Sequence, residues 1–366
     1  MTRAVVTSLA VAAALGVTIL PSRLAAQHQT QVNGFGYLES TVSKTDRTDG
    51  YFTVGEHVLT VFSSLTDRLT FLGEAVIKPS GSSATGYLPS IERALIRYSY
   101  LNNHSIIAGK VHTPVNYWND VYHHGRLFFP VVDRPYAFTS IVPLHTLGVQ
   151  AQGQNLGRAK FGYDVVVGNG LSATDVSDAG VTPAVTVAFH VKPVAGLRIG
   201  ASYYRDDMSR NGTDPHSGQT LSARHSATLY TGPLNYEMES ASLAWFGHRI
   251  EVLNELSVGQ SHTDSLGTAH NISNFTYVGV RVSERVTPYA FADYIRVADN
   301  DLHVYPLDKR KVAAGMRFEI TEMVSIKTQI EHQYEYSHYP VNGPTESLPI
   351  TRARTLGLRV QLAYGF

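Results

Sequence analysis

The chain has 366 residues, no cysteine, and 30 basic against 30 acidic side chains, so its formal net charge is zero. Balanced charge argues against nucleic acid as a partner, because phosphate binding needs a concentrated basic excess. Without cysteine there are no disulfide staples, thiol nucleophiles or thiolate-bound zinc; charged residues, at 16%, fall below the usual quarter, while glycine (30) and tyrosine (21) are abundant.

The first segment reads as an export signal. Arg3 supplies a positive start, Ala4 to Leu20 form an apolar stretch, Pro21 ends it, and Leu24-Ala25-Ala26 before Gln27 is a cleavage site with small residues at the cut. Residues 1–26 are therefore expected to be a signal peptide and 27–366 the exported protein. Beyond residue 26 no apolar run reaches the ~20 residues a membrane-spanning helix needs.

From there the chain keeps a two-residue rhythm. Its early part, from Val32 to Phe62, alternates less cleanly than the rest. Later segments are regular: Arg281 alternates with Val278, Val280 and Val282, and Arg317 and Glu319 with Met316, Phe318 and Ile320. Val324, Ile326, Thr328 and Ile330 oppose Ser325, Lys327, Gln329 and Glu331, and Leu356, Leu358, Val360, Leu362, Tyr364 and Phe366 oppose Thr355, Gly357, Arg359 and Gln361. Period two is a strand with one apolar face. That face points to a core in a soluble sandwich, or to lipid in a membrane barrel.

Three features favour the barrel. The strands run ~10 residues, the length of a tilted membrane-spanning strand. Tyrosines (Tyr98, Tyr100, Tyr203, Tyr204, Tyr334, Tyr336, Tyr364) stand at strand ends, where an interfacial girdle belongs. Connections alternate in length: tight turns at 65–68, 101–104, 153–158, 192–196, 246–249, 283–286 and 321–322 separate long polar stretches near 43–50, 79–90, 115–146, 170–182, 207–235, 262–270, 298–308 and 338–349. The expectation is an all-β, transmembrane, antiparallel β-barrel of about sixteen strands.

The chain also resembles the Gram-negative outer-membrane porin superfamily. The resemblance rests on the leader, the cysteine-free strands, the aromatic end Phe366 and the long connection after the fifth strand; its stretch "HTPVNYWNDVYHHG" is similar to one in relatives of the phosphate-selective porins. It implies a trimer in the outer membrane, a loop folded into the pore, and Phe366 as the assembly signal. The stacked arginine and lysine ladder of phosphate-selective members is not evident.

On the polar face, Arg93, Arg97, Lys110, Lys160, Lys192, Arg198, Arg281, Lys311, Arg317, Lys327 and Arg359 outnumber Glu74, Asp164, Glu251, Glu255, Glu319, Glu331 and Glu335. A basic excess favours anions weakly, although cross-strand pairing would leave many of these charges only stiffening the wall. The connection 115–146 is too aromatic for disorder and should pack inside the barrel as a constriction loop. Tyr117 and Trp118 would anchor it, leaving Asp120, Arg126, Asp133 and Arg134 to project into the lumen opposite Arg93, Arg97 and Lys110.

Two other chemistries compete. His123, His124 and His145 are candidate metal ligands, but adjacent histidines in extended chain point opposite ways, and no HExxH helix is present, so no metal or cofactor is expected. Asp206 and Asp207, with His216, His225 or His262, could form a rim hydrolase, although no Gly-x-Ser-x-Gly elbow is present. The reading is a passive diffusion channel for small hydrophilic solutes or inorganic ions, bounded by outer-membrane lipid, and not an enzyme; a rim hydrolase and a non-channel exported β protein are the alternatives. N-terminal sequencing of the exported protein should begin at Gln27 or a residue beside it; an intact Met1 would contradict the signal peptide.

Overall fold

The computed structural model describes residues 29–44, 48–81, 83–171, 182–208, 234–264, 267–301, 303–304, 306–337 and 351–366. The expected signal peptide lies outside the described residues. Sixteen strands form the wall: β1 (Thr30–Lys44), β2 (Thr48–Ser64), β3 (Leu69–Pro79), β4 (Tyr87–Leu101), β5 (His104–His112), β6 (His145–Leu156), β7 (Phe161–Gly168) and β8 (Thr182–Val191). The second half comprises β9 (Leu197–Met208), β10 (Leu234–Phe246), β11 (Ile250–Thr263), β12 (Gly267–Val280), β13 (Val286–Val297), β14 (Leu307–Thr321), β15 (Val324–Ser337) and β16 (Thr351–Gly365). Each strand pairs antiparallel with its neighbours in sequence, and β1 pairs with β16 to close the barrel. Closure leaves no sheet edge, so the backbone N–H and C=O groups of the wall find partners within it.

The alternation in sequence becomes the two faces of this wall. Leu356, Leu358 and Val360 of β16 are exposed outward, whereas Gln361 and Ala363 are buried inside. Outward exposure of large aliphatic side chains continues around the barrel, with Ile91, Ile96, Ile106, Val149, Val167, Leu243, Leu256, Ile272, Val278 and Ile330. A contiguous apolar belt on this scale is a surface for lipid rather than water.

The inner face departs from the simple expectation. Phe275 and Tyr277 of β12 and Tyr289 and Phe291 of β13 are buried inside the barrel. They belong to one apolar cluster with Tyr117, Trp118, Phe129, Val131 and Phe138 of the β5–β6 connection. A second cluster joins Val115, Tyr136, Ala137, Ile141 and Val142 to Tyr204, Tyr236, Met238 and Ile295 of the wall. Tyr204, expected in an interfacial girdle, is thus an inward core residue. The core of this protein is the inside of its barrel.

The C-terminus fastens the seam. Phe366 and Gly34 exchange two backbone hydrogen bonds of 2.9 Å each, one residue past the end of β16. The Phe366 ring lies over Gly34, where a Cβ would come within 2.4 Å of the ring carbon Cζ, so glycine admits the ring. The ring itself is 70% exposed, on the outside. Deleting Phe366 removes both bonds and the ring. Heat-modifiability on gels should then show less folded barrel; assembly equal to the full chain would contradict a role in closure.

Candidate functional site

The connection 113–144 runs inside the barrel. At its neck Thr113 N–H donates to Leu144 C=O at 3.0 Å, and the Asn119 amide donates to the carbonyls of Thr113 (2.7 Å) and Leu144 (3.2 Å). His145 and Thr146, expected in the loop, begin β6 instead. Between the neck residues the chain makes a π-helical turn (Trp118–Tyr122), a 3-10 turn (Arg126–Phe128) and a short helix α1 (Tyr136–Ser140).

Helical turns start with unpartnered N–H groups, which a water-poor interior must satisfy. Wall carboxylates meet them. Glu255 of β11 accepts the N–H of Tyr117 at 2.5 Å and of Trp118 at 3.0 Å, and Asp293 of β13 accepts the N–H of Tyr136 at 2.8 Å. Loop carbonyls are matched likewise: Lys327 donates to Arg126, Gln361 to Val132 at 3.0 Å, and the Tyr236 hydroxyl to Ile141 at 2.9 Å. Trp118, fully buried, packs edge-on against Phe129 and Phe275 with ring centres 5.2 and 5.1 Å apart. At ~25 cal/mol per Å², each such aromatic contributes a few kcal/mol of burial.

The charges expected to project from the loop are mostly fastened. Arg126 is buried and donates to Asp133 at 2.8 Å and to the Val132 carbonyl at 2.7 Å. Arg359 of β16 holds the other Asp133 oxygen at 3.0 Å. Partial burial pushes the Asp133 carboxyl up, but Arg126 and Arg359 together hold it well below the usual carboxylate range. Arg134 grips Glu56 of β2 through two hydrogen bonds, 3.1 and 2.6 Å. Arg126, Asp133 and Arg134 are therefore anchors and not a free array in the lumen. Asp120, more exposed, pairs with Arg198 of β9.

On the facing wall Arg93 is bound to Glu74 at 2.7 Å, and the Nε of Arg97 is buried without a hydrogen-bond partner. Lys110 departs from the expected face. It pairs across the sheet with Ala94 and the exposed Leu147, alternates with buried Val111, and donates to the Ile91 carbonyl at 2.6 Å. Directly paired residues share a face, so Lys110 does not stand in a row with Arg93 and Arg97. Elsewhere Glu251 is paired with Arg281 and Arg317, and Glu39 with Arg359. Much of the basic excess is neutralised inside the wall.

Hollows border the loop and the adjoining wall. One of about 480 Å³ is lined by Tyr117, Asp120, Val121, Lys160, His190, Lys192 and Arg198, beside the short turns. A second, about 360 Å³, shares Asp120 and Val121 and reaches Glu74, Arg93, His112, His123 and His124. A third of about 270 Å³ lies at the wall where the long connections leave it, lined by Glu92, His145 and Leu171 together with the outward-facing Ile91, Lys110 and Leu147.

Between the second and third lies a cluster that the alternation conceals. In the β3–β4 ladder Glu74 faces Arg93 and Ala75 faces Ile91, leaving Glu92 as the extra residue of a bulge. Counting back from inward Arg93, strict alternation would turn Glu92 outward and Ile91 inward; with the bulge Glu92 is buried on the same side as Arg93 and Ile91 is exposed. There Glu92, His123, His124 and His145 offer ligand atoms within 4.8 Å of one another. The adjacent histidines do not point apart, because His123 has φ 38°, a left-handed conformation that ends the π-helical turn. Its ring stacks on His112 with centres 3.5 Å apart and lies 4.3 Å from that of His124. Burial pushes His123 well below the ordinary histidine range, leaving a neutral ring.

The rim residues are occupied structurally. Asp206 is buried and accepts the N–H of Leu171 at 2.6 Å and the Tyr204 hydroxyl at 3.1 Å, while Asp207 accepts Thr182 at 2.8 Å. His262 bonds Thr268 at 3.0 Å. His216 and His225 lie outside the described residues.

No family model and no curated protein matches the sequence. Solved structures do match. An anion-selective porin from Comamonas acidovorans superposes with TM-score 0.63 at 10% identity, covering 92% of this chain and 100% of that one. The outer membrane channel DcaP of Acinetobacter baumannii gives 0.59 at 10%, with 95% and 100% covered. Outer-membrane-expressed OmpT of Vibrio cholerae gives 0.59 at 12%, with the same coverage. At such identity the likeness is one of fold: this chain has the closed sixteen-stranded barrel of the Gram-negative outer-membrane porins.

The anchoring geometry makes a specific prediction. In Glu255→Ala the N–H groups of Tyr117 and Trp118 lose their acceptor, which costs about 1–3 kcal/mol for a buried donor. Amide exchange at those two residues should accelerate roughly ten- to hundredfold, with the wall strands unaffected. Unchanged exchange would mean that the loop is held by its aromatic contacts alone.

Proposed function

We propose that the chain is an outer-membrane porin of a Gram-negative bacterium, a passive diffusion channel for small hydrophilic solutes or inorganic ions. The observation that carries this reading is the loop 113–144, held inside a lipid-belted barrel with hollows beside it. A protein whose interior served stability alone would have no need to leave such space around its innermost segment. Barrels selective by size and charge place a constriction across the lumen and leave the mouths wide.

The hollow beside the short turns carries Lys160, Lys192 and Arg198 against Asp120. With Arg198 and Asp120 paired, the two lysines leave that mouth basic, which favours small anions weakly and without a dedicated binding site. The solved porin described as anion-selective supports this direction by analogy of fold alone. We assign a homotrimer on the same analogy, OmpT of Vibrio cholerae having been solved in a trimer form. The catalytic alternative has little to work with, since Asp206 and Asp207 already accept hydrogen bonds from the wall and adjoining chain.

Planar-bilayer recording tests the channel reading directly. Removing residues 117–129 should raise single-channel conductance; an unchanged value would place the constriction elsewhere. Lys160→Glu with Lys192→Glu should move the reversal potential toward cations, by an amount that shrinks as salt screens the mouth. No shift at low salt would remove the anion preference while leaving the channel itself intact.

A further inference from the structure

We propose that Glu92, His123, His124 and His145 bind one divalent transition-metal ion of the zinc class, and that this ion clamps the constriction loop to strands β4 and β6. The inference goes beyond the channel reading and does not depend on it.

The donor set comes from three separated parts of the fold. Glu92 is supplied by the bulge in β4, His145 by the first position of β6, and His123 and His124 by the loop. Imidazole with one carboxylate is a ligand set for zinc and its neighbours, and four donors suit tetrahedral coordination. Ligands ~2.0–2.1 Å from zinc stand roughly 3.3–3.4 Å apart. Here Glu92 Oε2 lies 3.2 Å from His124 Nε2 and 2.7 Å from His145 Nε2, so modest side-chain rotation opens room for an ion.

The surrounding groups orient these donors. His123 Nδ1 meets the Asn119 side-chain oxygen at 2.7 Å, so its N–H is on that nitrogen and the Nε2 lone pair is free; that Nε2 is buried with no hydrogen-bond partner. His124 Nδ1 lies 3.3 Å from Glu56 Oε2, a carboxylate acceptor for its N–H. Arg134 Nη2 lies 3.0 Å from the same nitrogen, but is bound to that carboxylate oxygen at 2.6 Å. Glu92 Oε1 is held by Lys78 at 2.7 Å and Ser90 at 2.6 Å, which leaves Oε2 as the ligand oxygen. A carboxylate or amide oxygen behind a ligating histidine, as behind His123 and His124 here, is the usual outer shell of a metal site.

Backbone strain points the same way. A non-glycine residue at φ 38° costs on the order of 1–3 kcal/mol, and at His123 that conformation is what turns two consecutive rings toward one point. The donors border open space: His123 and His124 line the second hollow, and Glu92 and His145 the third.

The test uses the full exported chain, folded in detergent without a polyhistidine tag, and Zn²⁺ as the probe. Competition against a chromophoric chelator should reveal one tight equivalent per chain. His123→Ala with His145→Ala should weaken it by more than the roughly 10–100-fold that loss of an outer-shell partner costs, whereas His248→Ala, in an exposed turn, should leave it unchanged. Co²⁺ bound in place of Zn²⁺ should give the intense visible bands of a tetrahedral site. Wild-type protein that takes up no stoichiometric Zn²⁺ would overturn the proposal and leave the cluster a hydrogen-bonded histidine–carboxylate network. Binding that survives the double substitution in heat-modifiable, folded protein would overturn it equally.

Discussion

The constraint on which this molecule depends is that a peptide chain inside a barrel must satisfy its backbone groups where little water reaches them. The loop 113–144 has helical turns too short to satisfy themselves. Glu255 and Asp293 accept its N–H groups, and Lys327, Gln361 and Tyr236 donate to its carbonyls. These partners sit on β10, β11, β13, β15 and β16, and Arg134 adds a grip on β2. The loop is consequently tied to several sectors of the wall. Its position follows from this set of contacts and not from propensity within the loop.

This division of labour explains why so many charges lie inside a wall and so few are free. Charged groups in a partly desolvated lumen are retained where each has a partner with good geometry. Arg359 bridges Glu39 and Asp133, joining the barrel seam to the loop, and Arg317 joins β14 to Glu251 of β11 across the interior. The hollow beside the short turns carries the remainder, chiefly Lys160, Lys192 and the Asp120–Arg198 pair. In the channel reading proposed above, selectivity would belong to the residues left over from anchoring.

The same physics decides how much of the molecule is legible in its sequence. The barrel is, because alternation such as Leu356, Leu358, Val360 against Arg359, Gln361 depends on local pleating alone. The position of the long connection is legible too, since its aromatic content demands burial. The roles of Arg126, Asp133 and Arg134 are not: a charge that anchors and a charge that projects look alike until its partner, such as Glu56 or Arg359, is brought from far along the chain. Glu92 is hidden by a one-residue bulge that inverts its face, and the histidine pair by a left-handed turn that extended chain would not make. Tyr204, Phe275 and Phe291 break the rule of a polar lumen because the loop covers them.

If the barrel conducts as proposed, the loop lines the path taken by solutes. Val121 gives the most direct access to it: its side chain is 47% exposed and borders two of the hollows beside the loop. The chain has no cysteine, so Val121→Cys introduces a single thiol. Modification of that thiol with a charged, water-soluble reagent during single-channel recording should reduce conductance stepwise. Complete modification, verified by mass, with conductance unchanged would contradict the account.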